Sequence, residues 1–304
     1  MSILINKNTR LIVQGITGKE GSYHASLMKE YGTKVVAGVT PGKGGQEIEE
    51  VPVFNSVDEA VKNTDANASI LFVPSRFTKD GILEAIDGGI KLIVTVAEGV
   101  PVHDMLFCYS YARLNNCILI GPNGPGIISP DKSKVGFMDS RIYKKGNIGI
   151  MSRSATLSYE IVNNLSNKGI GQSTVVGVGG DSIPGSSFID LLPLFEEDSQ
   201  TDLIIMVGEI GGSDEEIAAK YIKEHICSQY HLKYPYYIFP MKKPVVAFIA
   251  GEAAPEGKVM GHAGAIISPG GEGGVKYKRK VLQEAGVRII EKLSEIAKVV
   301  SEIL

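Results

Sequence analysis

Residues 11–39 read LIVQGITGKEGSYHASLMKEYGTKVVAGV, and this stretch decides the fold. The apolar run LIVQ is short enough for a buried strand, and the glycine turn GITGKEG follows it directly. Residues 22–32 predict a helix that ends at Gly32, and residues 34–39 predict a second buried strand. A strand, a glycine turn, a helix and a second strand make up the βαβ unit of a parallel sheet.

The same alternation continues outward from this stretch. Short apolar runs separated by helical segments predict five parallel strands with helices on both faces of the sheet. The pattern restarts at Asn147 and predicts a second α/β layer structure. We place the boundary in the segment between Gly126 and Asn147, which is rich in proline, glycine and lysine. The predicted domains are residues 1–130 and 145–304.

Composition excludes several classes of protein. The 304 residues carry a net charge of -3 with scattered lysine and arginine, which argues against nucleic-acid binding. No apolar run approaches the roughly 18–20 residues of a membrane span, and the first residues resemble neither a signal nor a transit peptide. Three cysteines fit no metal or disulfide pattern. We therefore expect a cytoplasmic protein, or a matrix protein if this is a processed mitochondrial form.

Glycine turns at the ends of the first two strands suit a phosphate. In QGITGKEG, residues 14–21, backbone N–H groups at a helix start can face an anion. The spacing is G-x-x-G-x-x-G rather than G-x-G-x-x-G, and no acid ends the second strand, so NAD is disfavoured. Lys43, in the turn after the second strand, can meet phosphate as a point charge. The alternative is that these turns have no ligand.

Three further segments carry polar or glycine-rich turns. VAEG at 96–99 and GPNGPGII at 121–128 follow strands and suggest a groove wall, although ordinary turn chemistry explains either one alone. SRSATLSYE at 152–160 places hydroxyls at a helix start, which predicts an anion site. Ser154 can also act there as a plain N-cap.

His262 is the histidine that the sequence singles out. It lies between glycine and Ala-Gly in GKVMGHAGAIIS, residues 257–268, which keeps the ring accessible. His103 is expected in a loop after the fourth strand, and no cluster with metal-ligand spacing accompanies His262. Glu209 ends a buried strand and can fix the tautomer of an imidazole, or it can simply begin a helix. An accessible imidazole, an orienting carboxylate and an anion site suit covalent phosphoryl transfer.

Six motifs together resemble the α subunit family of succinyl-CoA synthetase (succinate–CoA ligase). TGKEG, VTPGKGG, GPNGPG, SRSATLSYE, GEIGGSDEE and MGHAGAI stand in that family's order and spacing. The resemblance implies a Rossmann-like CoA-binding domain followed by a flavodoxin-like ligase domain. It implies that His262 is transiently phosphorylated and that Glu209 orients it. The other implied contacts are Thr17, Gly18, Lys19, Glu20, Lys43, Val96, Ala97 and Glu98 for CoA, Ser154, Ala155 and Thr156 for phosphate, and Tyr159 for the carboxylate substrate.

The resemblance also implies a partner and a reaction. The partner is a β subunit with an ATP-grasp domain, in an αβ or α2β2 heteromer, that binds ATP or GTP with Mg2+. The reaction forms succinyl-CoA and phosphate from succinate, CoA and the nucleoside triphosphate, reversibly, as in the tricarboxylic acid cycle. Alternatives are a related ligase acting on another carboxylate such as acetate, and a non-catalytic CoA-binding regulator.

Three departures from the family pattern bear on specificity. Gly124 stands where the family usually has cysteine, and Ala155 stands where it usually has glycine. An aromatic insertion occupies residues 227–243. It is either a surface insertion packed by its own aromatic rings or a docking surface for a partner.

Overall fold

A computed structural model of the chain describes residues 2–227, 241–255, 257–262, 264–267 and 273–304. Most of the aromatic insertion predicted at 227–243 lies outside these residues. The chain divides into two compact units. The first unit consists of residues 2–141 and 176–186, and the second consists of residues 142–175 and 187–304.

The first unit contains nine strands and four helices among its described residues. The strands are β1 (Arg10–Gln14), β2 (Lys34–Val39), β3 (Glu47–Ile48), β4 (Val51–Phe54), β5 (Ala68–Leu71), β6 (Leu92–Thr95), β7 (Ile118–Ile120), β8 (Gly126–Ser129) and β9 (Ser133–Gly136). The helices are α1 (Lys19–Glu30), α2 (Val57–Thr64), α3 (Ser75–Asp87) and α4 (Val102–Leu114). The 3-10 turn Ser140–Ile142 follows.

Seven of these strands form one sheet in the order β3-β4-β2-β1-β5-β6-β7. Only β3, which pairs with β4, is antiparallel. Gln14 at the end of β1 is opposite Val39 of β2 and Leu71 of β5, so these strands finish at one edge, here named the carboxyl edge. Strands β8 and β9 form an antiparallel hairpin.

Continuous apolar runs explain the central strands of this sheet. Leu11, Ile12 and Val13 are fully buried, as expected for a strand that helices cover on both faces. Helix α2 begins at Ser56, whose hydroxyl accepts the N–H of Glu59. The prediction for His103 was wrong, because this residue lies in helix α4 rather than in a loop.

The second unit has a parallel sheet of its own. Its strands are β10 (Lys145–Ser152), β11 (Gln172–Gly177), β12 (Leu203–Glu209), β13 (Val245–Ala250) and β14 (Arg288–Ile289), and the last two residues of β11 belong to the first unit. Their order is β14-β13-β12-β10-β11, and β10, β12, β13 and β14 run parallel. The helices are α5 (Ala155–Asn167), α6 (Phe188–Glu197), α7 (Asp214–Cys227), α8 (Val275–Glu284) and α9 (Ile296–Ile303), with a 3-10 turn at Leu293–Glu295.

Strand β12 is the centre of this unit. All seven of its residues are buried between β10 and β13, which fixes the position of the carboxylate at its last residue, Glu209. The predicted α/β fold class is confirmed by the two helix-covered, mainly parallel sheets. Within the described ranges, no helix has both the length and the apolar character needed to cross a membrane.

Candidate functional site

His262 lies in a compact turn whose backbone bonds to itself. We call residues 257–262 and 264–267 the histidine turn. The N–H of His262 donates to the carbonyl of Met260 (2.9 Å), and its carbonyl accepts the N–H of Ala265 (3.0 Å). Gly261 has a φ of 74°, which favours glycine at that position. The side chain of His262 is 27% exposed, so a reactant can reach the ring.

Glu209 meets the imidazole from the end of β12. Its Oε2 lies 2.6 Å from Nδ1 of His262, and its side chain is only 8% exposed. An ionised carboxylate can only accept, so this hydrogen bond requires the ring proton on Nδ1. The lone pair of the neutral ring is then on Nε2, the atom suited to nucleophilic attack.

Arg153 contacts the second carboxylate oxygen of Glu209. Its Nε is 3.1 Å from Glu209 Oε1, and its Nη1 is 3.2 Å from an oxygen of Asp214, the first residue of α7. The Nε–H does not point at Oε1, so this contact is an ion pair rather than a linear hydrogen bond. The Arg153 side chain is 4% exposed, and removal from water strengthens both attractions.

The loop after β12 packs closely against the histidine turn. Gly211 has a φ of 82°, and an added Cβ would overlap the carbonyl oxygen of Gly264 and lie 2.7 Å from the nitrogen of Ile266. Only glycine allows the two backbones to approach so closely. The N–H of Gly211 also donates to the carbonyl of Gly273 (2.8 Å).

A buried lysine, Lys278, stabilises the loop after β12. Lys278 of α8 donates to the carbonyl of Gly212 (3.1 Å) and to Glu216 (2.9 Å), and it pairs with Glu215. Glu215 in turn accepts the backbone N–H of Glu209 (3.1 Å). Burial raises the pKa of the Glu215 carboxyl, while Lys278 and then Arg153 oppose that rise.

The start of helix α5 adjoins this cluster through Arg153. Ser154 is the N-cap, and its hydroxyl accepts the N–H of Leu157 (3.3 Å). Ala155 and Thr156 follow in the first turn, and Thr156 is exposed. The N–H groups of a first helical turn have no intrahelical acceptor, so they can bind an anion. Tyr159, one turn later, is half-buried.

The first unit gathers the other predicted residues at its carboxyl edge. Gly18 is the N-cap of α1, and Lys19 and Glu20 open that helix with exposed side chains. The hydroxyl of Thr17 donates to that of Thr40 (3.2 Å), which ties the turns after β1 and β2 together. Lys43 is exposed in the second of these turns.

A cavity of about 390 Å³ opens beside these turns. Gly15, Thr40 and Pro41 line it on one side, and Val73 and Phe77 line it on another. Its walls are mainly apolar with a few polar groups, as in most small-molecule sites.

Asn55 supports the turn that carries Lys43, and sequence reasoning missed it. Its Oδ1 accepts the N–H groups of both Gly42 and Gly44 (2.9 Å each). An asparagine that precedes a serine-capped helix gives no local signal that it holds a loop 11 residues earlier.

The turns that follow β6 and β7 also interlock. Val96 and Ala97 are half-buried and Glu98 is exposed. The carbonyl of Ala97 accepts the N–H of Asn123 (2.9 Å), whose side-chain amide donates to Asp181 (3.0 Å). The residues proposed from the VAEG and GPNGPG motifs are therefore neighbours.

The structure thus forms two groups of predicted residues, one in each unit. Sequence reasoning did not assign roles to Asp214, Glu215 and Lys278, which support the loop of Glu209. Among the residues whose positions are described, no group of three or more histidine, cysteine, aspartate or glutamate side chains is arranged to hold a metal ion.

Two family models match this chain. A CoA-binding domain matches residues 6–99, and a CoA-ligase domain matches residues 151–285. Solved structures that resemble it include ATP citrate lyase from Methanothrix soehngenii, with a TM-score of 0.86 at 22% identity over 99% of this chain. The chain spans about half (50%) of that lyase chain. An acetyl-coenzyme A synthetase from Ca. Korarchaeum cryptofilum aligns with a TM-score of 0.72 at 18% identity, over 97% of this chain and 60% of that one. At such low identities, the likeness shows the fold alone.

Curated relatives are far more similar in sequence. The succinate–CoA ligase [ADP-forming] subunit alpha of Aquifex aeolicus is 52% identical over 100% of this chain and 95% of its own length. Subunit alpha 2 of Archaeoglobus fulgidus is also 52% identical, over 100% of both chains. The resemblance predicted from the six motifs is therefore confirmed. The chain, with its CoA-binding domain and its CoA-ligase domain, belongs to the succinate–CoA ligase α-subunit family.

Proposed function

We propose that this chain forms succinyl-CoA from succinate, CoA and ATP or GTP, reversibly, through a phosphohistidine at His262. The observation that carries the proposal is the 2.6 Å contact between Glu209 Oε2 and His262 Nδ1. A protein that only binds CoA has no use for an accessible imidazole whose tautomer is fixed by a buried carboxylate.

The chemistry follows from that tautomer. Nε2 of His262 attacks the terminal phosphorus, and the bond from phosphorus to the departing diphosphate breaks. The ring then carries positive charge, which the carboxylate of Glu209 stabilises. The phosphoryl group next moves from Nε2 to a carboxylate oxygen of succinate. CoA supplies the thiol that takes the acyl group and releases phosphate.

The start of α5 is the proposed phosphate site. Ser154, Ala155 and Thr156 bring backbone N–H groups and a hydroxyl to one place, and the positive end of the helix dipole favours the anion. Tyr159 of the same helix is the proposed contact for the carboxylate substrate. Arg153 precedes this turn, so the proposed phosphate site and Glu209 adjoin.

The first unit is proposed to bind CoA, at residues 1–130, and the ligase domain to occupy residues 145–304. The residues at the carboxyl edge fit such a ligand. A cavity of about 390 Å³ accepts part of it, and the start of α1 suits phosphate. The contacts proposed are Thr17, Gly18, Lys19, Glu20, Lys43, Val96, Ala97 and Glu98.

The nucleotide and Mg2+ are proposed to bind a β subunit with an ATP-grasp domain, in an αβ or α2β2 heteromer. We further propose a cytoplasmic location, or the mitochondrial matrix for a processed eukaryotic form.

Labelling tests this function directly. The chain, combined with its β subunit, is incubated with ATP or GTP labelled at the γ-phosphate. We expect an acid-labile, base-stable label that is absent from His262→Ala and present in His103→Ala, a control at an exposed histidine of α4. Discharge with succinate and hydroxylamine should yield succinyl hydroxamate. CoA binding without label would favour the regulator, and discharge by acetate alone would favour the related ligase.

A further inference from the structure

Arg153 contacts two carboxylates that come from different elements. Glu209 ends strand β12 and Asp214 begins helix α7, and both pair with this one guanidinium (3.1 and 3.2 Å). The side chains of Arg153 and Glu209 are 4% and 8% exposed. A buried carboxylate is stabilised by a partner cation, and removing that cation leaves the carboxylate without compensation.

The two oxygens of Glu209 have separate partners. Oε1 faces Arg153 Nε, and Oε2 faces His262 Nδ1. Each oxygen of the carboxylate is therefore held by a different group. Arg153 also donates a hydrogen bond to Asp214, which restrains rotation of its guanidinium. A restrained guanidinium in turn limits the positions that the Glu209 carboxylate can take.

We propose that Arg153 is a positioning residue that keeps the Glu209 carboxylate aligned with the imidazole, and so keeps the proton of His262 on Nδ1. The inference rests on the proposed function for its kinetic consequence, although its structural part does not. Without the guanidinium, the contact at Oε1 is lost and the carboxyl group can rotate away from Nδ1. The ring proton is then no longer held on Nδ1, and a proton on Nε2 removes the lone pair that attacks phosphorus.

The variants separate charge from geometry. Arg153→Met removes both contacts with little change in volume. Arg153→Lys keeps the positive charge, but a single ammonium lacks the fork that pairs with two acids. Arg279→Met is the matched control, since Arg279 pairs with Glu252 (3.1 Å) in the same unit without contacting Glu209 or His262.

Two measurements test the proposal on the full chain. With labelled nucleotide and the β subunit, we expect His262 to be phosphorylated about 100-fold more slowly in Arg153→Met. A small misplacement of a catalytic group can lower the reaction rate by about this factor. Arg153→Lys should recover part of the rate, and CoA affinity should stay within about twofold of the parent chain. In 15N spectra of chains labelled at histidine, the His262 signal should report an Nδ1–H tautomer. That tautomer should become mixed or reversed in Arg153→Met but not in Arg279→Met.

The two proposals fail in different ways. An unchanged tautomer in Arg153→Met, or an equal loss in Arg279→Met, overturns the role of Arg153 even if phosphorylation slows. Absence of label in the parent chain overturns the proposed function, while the tautomer comparison still decides the role of Arg153. If Arg153→Met does not fold, Arg153→Lys is tested in its place. A phosphorylation rate and a His262 tautomer like those of the parent chain in that variant would show that a guanidinium contacting both carboxylates is not required.

Discussion

Glu209 and His262 are 53 residues apart in the chain, yet Oε2 of one lies 2.6 Å from Nδ1 of the other. The carboxylate is fixed by a strand that is buried along its whole length. The imidazole is carried by a turn with exposed apolar neighbours, including Met260 and Ile266. A rigid acceptor therefore meets an accessible ring, which is the arrangement that a nucleophilic histidine needs.

Glu209→Gln should slow phosphorylation of His262 about 100-fold. This corresponds to a loss of roughly 2.7 kcal/mol of transition-state stabilisation. The amide is uncharged and can present either an acceptor or a donor to Nδ1, so the tautomer is no longer enforced. The proposed CoA contacts lie on other elements, and the dissociation constant for CoA should be nearly unchanged. Rapid-quench labelling and titration calorimetry measure the two quantities. An equal loss in both would contradict this role.

Lys43→Ala should weaken CoA binding about three- to tenfold without preventing phosphorylation. The ammonium is exposed, so screening by solvent keeps its contribution small. Lys34→Ala is the matched control. Lys34 is also exposed, but it lies at the first residue of β2, whereas the turn that carries Lys43 follows the last residue of that strand. Calorimetry with CoA at low and moderate salt provides the comparison. The same dissociation constant in all three chains would reject the phosphate contact.

Much of the fold was predictable because the central strands are short, continuous apolar runs, such as β1 and β12. Helix α4 was missed for a physical reason. Its buried residues are Met105, Cys108 and Ala112, but Leu106 and Phe107 on its outer side are also apolar and exposed. Without contrast between its faces, the helix has no amphipathic pattern to detect.

The candidate site was predictable where a residue stands at a strand end or in a glycine-rich turn, as Glu209 and His262 do. Lys278 gave no such signal. It is one of several cations in VKYKRKVLQE, and only the tertiary structure shows that it is the buried one, bonded to Gly212 66 residues earlier. Asp214 is likewise one of three acids in the first turn of α7, and its pairing with Arg153 depends on the fold.

Gly124→Cys, which restores the residue usual in the family, should destabilise this chain by about 1–3 kcal/mol. An added Cβ would lie 2.9 Å from the carbonyl oxygen of Gly177 and 3.2 Å from Cα of Gly179. Both neighbours are backbone, so a loop must move to make room. Urea unfolding of the full chain measures the effect. Gly124→Ala serves as control, since it adds the same Cβ without a thiol, and parent-like midpoints in both variants would show that the space is not limiting.

Lys278→Met should be strongly destabilising near neutral pH and much less so in mild acid. Lys278 and Glu215 are both fully buried, and removing one partner of such a pair costs about 3–5 kcal/mol. Burial already raises the pKa of Glu215 above its ordinary value of 4.5, and Lys278 is the largest influence opposing that rise. Its removal should therefore raise the pKa of Glu215 further.

The sign of the pH dependence follows from proton uptake. Between the pKa of Glu215 in the unfolded chain and its higher pKa in the folded chain, folding binds a proton, so stability falls as pH rises. Lys278→Met extends that interval upward, and its penalty should shrink as pH falls toward 4.5. Urea unfolding at several pH values between about 5 and 8 tests this. Adding Glu215→Gln to Lys278→Met should flatten the pH dependence, and Lys280→Met, at an exposed lysine of the same helix, should change stability by less than about 0.5 kcal/mol. A penalty that is constant with pH would mean that the charge of Glu215 is not what Lys278 compensates.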